Sequence, residues 1–193
     1  MPAATTRDLI VETADELFYT QGFEATSFAR IAGPLGLSRG NFYHHFKTKD
    51  HILDAVITRR RDITQAMLDD WQVVGDDPRD RILRFVRLLI VNRVRIMAFG
   101  CPVGTLCAEL AKLDHDAQPR AAGILLMFRD WLTDQFRALG AGDAAGDLAL
   151  HLLGWAQGTA VLATALRDEA MIRREVATTE SWLAGLPYPS PSA

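Results

Sequence analysis

The sequence predicts an all-α protein of about nine helices. Apolar residues recur at three- and four-residue spacing through most of the chain, which is the repeat of a helix with one buried face. Glycine and proline breaks, together with capping residues, divide this pattern into segments of helical length. Alternating runs of β-branched residues between turn dipeptides, the usual signal of strands, are nearly absent.

The first two predicted helices occupy the start of the chain. The first helix begins near Thr6 and ends at Gly22, and its apolar residues share one face. Thr26 and Ser27 are good N-caps for a short second helix, which ends at the glycine turn of residues 35–37.

A third short helix follows this turn. Ser38 can cap it, and Phe42 and Phe46 lie four residues apart on its inner side. Two short helices around a glycine turn form a helix-turn-helix. Such a motif reads DNA by laying its second helix in the major groove, so the exposed face of that helix needs short polar and basic groups.

The third predicted helix has such a face. Arg39 can pair with guanine and Asn41 with adenine, while Tyr43, Lys47 and Lys49 can reach phosphate oxygens. Backbone amides at the start of the second helix can hold one more phosphate. The predicted DNA-binding residues are Thr26, Ser27, Ser38, Arg39, Gly40, Asn41, Tyr43, His44, His45, Lys47 and Lys49.

A helical hairpin with a solvated polar face is the alternative interpretation. A solvated face does not explain the aromatic Tyr43, which stands between Phe42 and His44. Charge adds weaker support for DNA, because residues 22–50 hold four basic and two acidic side chains. The formal net charge of -3 excludes a uniformly basic nucleic-acid coat but allows such a local excess.

Six further helices are predicted. A long helix from about residue 48 to 71 links the three N-terminal helices, which we call the head, to the rest of the chain, which we call the body. Asp77 caps the next helix, which starts at Pro78 and runs to about Phe99. The remaining helices are predicted at 105–113, 117–139, 143–166 and 168–185. The predicted buried stripe of the long helix is Leu53, Val56, Ile57, Ile63, Met67 and Trp71.

Several stretches of the head resemble the DNA-binding signature of the tetracycline repressor (TetR) family over roughly residues 6 to 57. They are Gly22 to Ser27, Ile31-Ala32, Leu35 to Phe46 and Lys47 to Asp50. The resemblance implies a homodimer on a palindromic double-stranded DNA operator, a helical body with a ligand pocket, and release of DNA when an inducer binds. Pro34 departs from the family pattern and should shorten or kink the second helix.

The predicted domains are a DNA-binding head (1–50), a ligand-binding and dimerisation body (51–186) and a disordered tail (187–193). Small residues are dense between residues 143 and 166, which suits the dimer interface typical of the resembled family; internal core packing is the alternative. Two heads must also reach half-sites about 34–36 Å apart, which predicts a two-fold dimer.

A ligand pocket is predicted among the large apolar residues of the body. Ligand sites are mostly apolar with a few placed polar groups, so the unknown small-molecule inducer is expected to be largely apolar. An ordinary core is the alternative for each residue. The candidates are Phe85, Leu89, Met97, Phe99, Cys101, Met127, Phe128, Trp131 and Trp155.

Two cysteines, Cys101 and Cys107, are too few for a disulfide framework, and no Cys/His spacing predicts a metal site. The segment around Gly100-Cys101 resembles one in family branches that include sensors of oxidants or electrophiles. Cys101 also precedes a predicted helix, where a thiolate is favoured. A repressor that senses through Cys101 is therefore an alternative, and a buried structural thiol is the other.

Other function classes find less support. No nucleophile with an orienting base and no carboxylate pair can be recognised, so we expect neither an enzyme nor a cofactor. A small helical enzyme or binding protein and a pure dimerisation module remain weaker alternatives, and activation instead of repression stays open. No apolar run approaches the roughly 20 residues that span a bilayer, and no signal peptide is visible, which predicts a cytoplasmic protein without membrane partners.

Overall fold

The computed structural model describes residues 5–74 and 77–188. These residues form α-helices joined by short turns, without a strand among them, which confirms the predicted all-α class. Short 3₁₀ turns lie at Gly33–Leu35 and Gly142–Ala144. The helices are α1 (Thr6–Gln21), α2 (Phe28–Ala32), α3 (Arg39–His45), α4 (Lys49–Val74), α5 (Pro78–Val91), α6 (Arg93–Phe99), α7 (Pro102–Lys112), α8 (Gln118–Ala138), α9 (Ala145–Leu166) and α10 (Glu169–Ala184).

The sequence patterns place most helix ends within a few residues. The predicted helix from Pro78 to Phe99 is in fact two helices, because the backbone leaves the helical conformation at Asn92. The Asn92 side-chain amide donates to the Leu88 carbonyl at 3.1 Å, a local bond that competes with helix continuation. The prediction that Ile63 is buried is also wrong, since 51% of its surface is exposed.

Capping explains where the first helix starts. The Thr5 hydroxyl accepts a hydrogen bond from the Asp8 backbone N–H, and the Asp8 carboxylate accepts from the Thr5 N–H at 3.0 Å. The Asp8 carboxylate also accepts from the Thr5 hydroxyl at 2.7 Å. The Thr5 hydroxyl bond, followed by its N–H bond, lowers the pKa of Asp8 below the usual aspartate value. This reciprocal capping fixes the first turn of α1.

Packing divides the chain into two compact units. The head unit consists of residues up to 63 together with 105–122, and the body unit consists of 64–104 together with residues from 123 onwards. The predicted division at residue 50 differs from this grouping, because most of α7 and the start of α8 pack with the head unit. The predicted tail (187–193) is described only as far as Tyr188, whose carbonyl accepts a hydrogen bond from Arg79 at 2.6 Å. Residues 189–193 lie outside the described part of the chain.

Small side chains let α6 and α9 approach closely in the body unit. Ala149, Ala156 and Ala163 of α9 are buried, and the Thr164 hydroxyl donates to the Ile96 carbonyl at 2.8 Å. The glycines of α9 are instead partly turned to solvent, as Gly154 illustrates. The small residues of α9 therefore lie on two faces. The alanine face packs in the core of the body unit, and the glycine face is exposed.

Two segments are apolar over the length of a bilayer-spanning helix. Residues 93–112 and 142–166 have mean hydropathies of 1.4 and 1.2, enough in length and composition to pass as bilayer-spanning. The expectation that no run approaches this size was therefore wrong. Such segments also occur in helical cores, and here the first is broken at Gly100 between α6 and α7, while alanines of the second are buried.

Candidate nucleic-acid interface

The turn between α2 and α3 follows from three residue types. Pro34 has no backbone N–H to donate, and α2 gives way to a 3₁₀ turn after Ala32, which agrees with the predicted shortening. Gly36 takes the left-handed conformation with φ of 62°, which glycine adopts without strain. Ser38 then caps α3 by accepting the Asn41 N–H at 3.3 Å. Gly36 and Ser38 thus keep the helix-turn-helix despite the proline.

Aromatic packing fixes the orientation of α3. Phe42 is buried, and its ring meets Phe28 of α2 edge-on with centroids 5.2 Å apart. Phe28 also meets Tyr43 at 5.3 Å, so Tyr43 is held half-buried at the edge of the head's core. Aromatic pairs of this kind stabilise the arrangement beyond the area they bury. The rotation of α3, and hence its outer face, is set by this cluster.

The outer face of α3 carries most of the predicted DNA-binding side chains. The Arg39 guanidinium lies 5.6 Å from the centre of the Tyr43 ring, where a cation–π contact orients it. His45 is half-buried, and its ring packs edge-on against His44 at 5.3 Å. The exposed members are Ser27, Ser38, Arg39, Gly40, Asn41, His44 and Lys47. Of these, Ser38, Arg39, Gly40 and Asn41 lie at the N-terminal end of α3, where major-groove reading requires exposed polar groups.

Two predicted contact residues have other partners. Only 1% of the Thr26 surface is exposed, and its hydroxyl donates to the Gly22 carbonyl at 2.7 Å. Lys49 donates to the carbonyls of Phe23 and Glu24 at 3.2 Å each. Both residues therefore hold the turn between α1 and α2, and a DNA contact from either one remains a prediction.

A buried ion pair fastens α1 to α4 in the head unit. Arg60 is 7% exposed, and its Nε lies 2.7 Å from the Asp15 carboxylate. Arg59 approaches the same carboxylate at 3.6 Å. A buried pair with a short, charge-assisted hydrogen bond tolerates little displacement. The pair therefore holds α1 against α4, the two helices between which α2 and α3 lie in the chain.

The candidate ligand-binding residues mostly surround one core in the body unit. Phe85 and Leu89 are buried, whereas Met97, Cys101, Met127, Phe128, Trp131 and Trp155 are partly buried against the same cluster. Phe99 is 36% exposed and lies outside that cluster. The Phe85 and Phe128 rings are 5.6 Å apart, and Trp155 Nε1 donates to Glu175 at 3.4 Å. Trp131 Nε1 is buried without a hydrogen-bond acceptor in the described structure.

Cys101 lies where the chain enters α7. Its Sγ accepts the Gly104 N–H at 3.4 Å and the Gln157 side-chain amide at 3.6 Å. A β-carbon at position 104 would collide with the Gln157 side-chain oxygen, so the present position of that side chain depends on the glycine. The sulfur thus sits among N–H donors at a helix N-terminus, in a part of the body unit that is only partly buried.

Comparison with known proteins matches residues 10–56 to the model of bacterial regulatory proteins of the tetR family. The N-terminal segment of this chain thus resembles the DNA-binding region of the TetR family. The matched residues contain α2, α3 and their turn, so this segment corresponds to the family's helix-turn-helix DNA-binding region. TetR-family proteins are transcriptional regulators rather than enzymes.

Relatives are similar to this chain over part of its sequence, and solved structures share its fold. A transcriptional regulator of Lactococcus lactis is 28% identical over 58% of each chain, and the repressor KstR2 of Mycolicibacterium smegmatis is 32% identical over 46% of this chain and 42% of its own. The chain therefore spans about half the length of these relatives. A TetR regulator of Legionella pneumophila has the same fold, with a TM-score of 0.84 at 21% identity over 94% of this chain and 99% of its own.

Sequence reasoning missed the residues that position the head from a distance. Glu109 of α7 binds the turn between α1 and α2, about 85 residues away along the chain, through two hydrogen bonds. The Asp15–Arg60 pair has a separation of 45 residues. No local spacing could reveal either contact, because both depend on how separate helices pack.

Proposed function

We propose that this protein is a TetR-family repressor that binds a palindromic operator as a homodimer and releases it when a small, largely apolar inducer binds. The exposed polar face of α3, oriented by Phe42 and capped at Ser38, is the observation that carries the DNA-binding part. The name of the KstR2 repressor supports repression. A protein with this task works in the cytoplasm.

The homodimer is supported by an apolar face on α9. Leu150 and Val161 lie about three helical turns apart on one side of α9 and are 58% and 68% exposed, although each is a large hydrophobic residue. Exposed apolar surface of this extent marks an interaction site. The exposed Gly154 and Gly158 on the same helix allow a second helix to come close. A stable monomer at micromolar concentration in sedimentation experiments would contradict the dimer.

The inducer site is proposed within the apolar cluster of the body unit. The unsatisfied indole N–H of Trp131 is a buried donor, and a buried polar group without a partner costs free energy. An inducer with an apolar skeleton and one acceptor oxygen would satisfy it, with the Phe85 and Phe128 rings nearby in the same cluster. The nine candidate residues stay a prediction.

Release of DNA requires that the inducer binds one conformation better than the other. The helices α4, α7 and α8 each contribute residues to both compact units, so they connect the body covalently to the head. A change at the ligand site can reach α3 along any of the three helices. The long α4 remains the proposed lever.

Selection from a random library of DNA duplexes tests the DNA-binding proposal without knowledge of the operator. The wild-type protein is expected to enrich a palindrome, and Asn41→Ala is expected to relax base preference within each half-site. A compound that binds the purified protein and leaves its affinity for the selected duplex unchanged is no inducer. No enrichment by the wild type would contradict the proposal itself.

Cysteine sensing is the second candidate. The Cys101 sulfur accepts two N–H groups at the N-terminus of α7, and its side chain is only partly buried. Oxidants or electrophiles should then weaken binding to the selected duplex in the wild type but not in Cys101→Ser, while Cys107→Ser behaves as wild type. Equal release in Cys101→Ser would remove this candidate.

A further inference from the structure

The turn between α1 and α2 has backbone groups that no helix satisfies. The N–H groups of Phe23 and Glu24 both donate to Glu109 of α7, one to each carboxylate oxygen, at 2.9 Å. All three residues belong to the head unit. One carboxylate thus binds two consecutive amides through charge-assisted hydrogen bonds, which are about twice as strong as neutral ones.

The carbonyls of the same two turn residues are held from another helix. Lys49, at the start of α4, donates to the Phe23 and Glu24 oxygens and lies 4.3 Å from the centre of the Phe23 ring. Glu109 and Lys49, which we call the turn clamp, therefore satisfy four backbone groups. The clamp joins α7 and α4 to the segment that leads into α2.

Gly22 gives independent support for the close approach of Glu109. Its φ of 90° is a conformation that other residues adopt only with strain, and a β-carbon there would lie 3.0 Å from the Glu109 Oε1 atom. His115 adds a second contact from the loop after α7, because its ring meets Phe23 edge-on at 5.3 Å. The turn is thus shaped around the carboxylate.

We propose that Glu109 is a positioning residue for DNA binding, although it lies outside the helix-turn-helix. By fixing Phe23 and Glu24, it fixes the entry to α2, where Thr26 closes the turn and Ser27 caps the helix. Loss of the carboxylate lets α2 and α3 move as a pair relative to α1 and α4. This inference rests on the proposed function, since it assumes that α3 reads DNA.

Glu109→Ala and the isosteric Glu109→Gln test this role. Both should speed hydrogen exchange of the Phe23 and Glu24 amides by about tenfold or more, because a charge-assisted acceptor is lost. Both should also lower affinity for the duplex selected by the wild type by about tenfold, with a smaller loss on a scrambled duplex, since a misplaced α3 loses mainly base contacts. Exposed Asp116→Asn, which removes one charge from the same unit, should change neither quantity.

Three results would overturn the role of Glu109. These are rapid exchange of both amides in the wild type, unchanged exchange in both variants, and lost protection with an unchanged ratio of specific to non-specific affinity. The first needs no variant, so misfolding of a variant does not prevent the test. If the wild type selects no duplex, the proposed function fails, and amide exchange alone still decides whether Glu109 holds the turn.

Discussion

The head unit and the body unit are both helical, but they are specified in different ways. In the head, side chains bind particular backbone groups or charges, as in the cap at Ser38, the Asp15–Arg60 pair and the turn clamp. In the body, a few directional bonds, such as that from Thr164 to the Ile96 carbonyl, accompany an extensive core of large apolar and small residues that includes most of the candidate ligand-binding side chains. The difference teaches that a surface that must meet DNA in one geometry is fixed by directional contacts, whereas an apolar core tolerates many sequences.

The largest expected effect is a loss of stability from a substitution on the buried face of α9 in the body, compared with the same substitution on its exposed face. Leu152 is fully buried and Leu150 is 58% exposed, so the same substitution probes core and surface two positions apart. Leu152→Ala should lower the free energy of unfolding by about 2–5 kcal/mol. Leu150→Ala should leave the fold intact and weaken dimerisation, measured by sedimentation. Equal losses of stability would contradict the division of α9 into a core face and a dimer face.

In the head, breaking the buried ion pair should have the next largest effect. Arg60→Met leaves the partly buried Asp15 carboxylate with Arg59 as an ion-pair partner at 3.6 Å, at a cost of about 2 kcal/mol in the free energy of unfolding. Urea unfolding measures this cost. The exposed Arg61 offers the matched control, since Arg61→Met should change stability by less than about 0.5 kcal/mol. A small effect of Arg60→Met would mean that directional contacts do not fix the head.

On the DNA-facing surface, Arg39 and Lys47 should differ in kind. Arg39→Ala should cost about 1–3 kcal/mol against the preferred base at one position and relax the preference there. Lys47→Ala should weaken binding to all sequences and reduce the slope of log affinity against log salt by about 0.9. Fluorescence anisotropy over a salt series distinguishes them. A uniform loss from Arg39→Ala would contradict its role in base reading.

Substitution of Lys49 tests whether this residue belongs to the turn clamp or contacts a phosphate. Its ammonium group already donates to two carbonyls, so Lys49→Met should lower affinity for the selected duplex with little change in the salt slope. The same anisotropy series measures this slope. A slope reduced by about 0.9, as expected for Lys47, would instead show that Lys49 neutralises a phosphate.

The smallest effect concerns the start of α1. The Thr5 hydrogen bonds lower the pKa of Asp8, so the folded state gains stability from the charged carboxylate above the ordinary aspartate value of 3.8. That gain is lost as the pH falls through the lowered pKa of the folded state. Thermal unfolding of Asp8→Asn should therefore depend less on pH in the acidic range than that of the wild type. Identical profiles would show that the charged Asp8 carboxylate adds no stability.

The sequence predicted what depends on local spacing. The caps at Ser27 and Ser38, the glycine turn and the shortening by Pro34 all act within a few residues, and each is found in the structure. It could not predict Glu109 as part of the head, because that contact arises only when α7 packs against the turn between α1 and α2. The break at Asn92 was missed because the apolar repeat continues through it, and Ile63 because a helical repeat shows which residues share a face, not where the core ends.

The most direct test of the account is the ratio of affinities of the wild-type protein for its selected duplex and for a scrambled duplex, at one fixed salt concentration. Specific regulators bind their sites about a thousandfold or more tighter than other DNA. The account predicts a ratio of this size, reduced towards one by Arg39→Ala and Asn41→Ala together. A wild-type ratio near one would contradict the claim that the outer face of α3 reads DNA sequence.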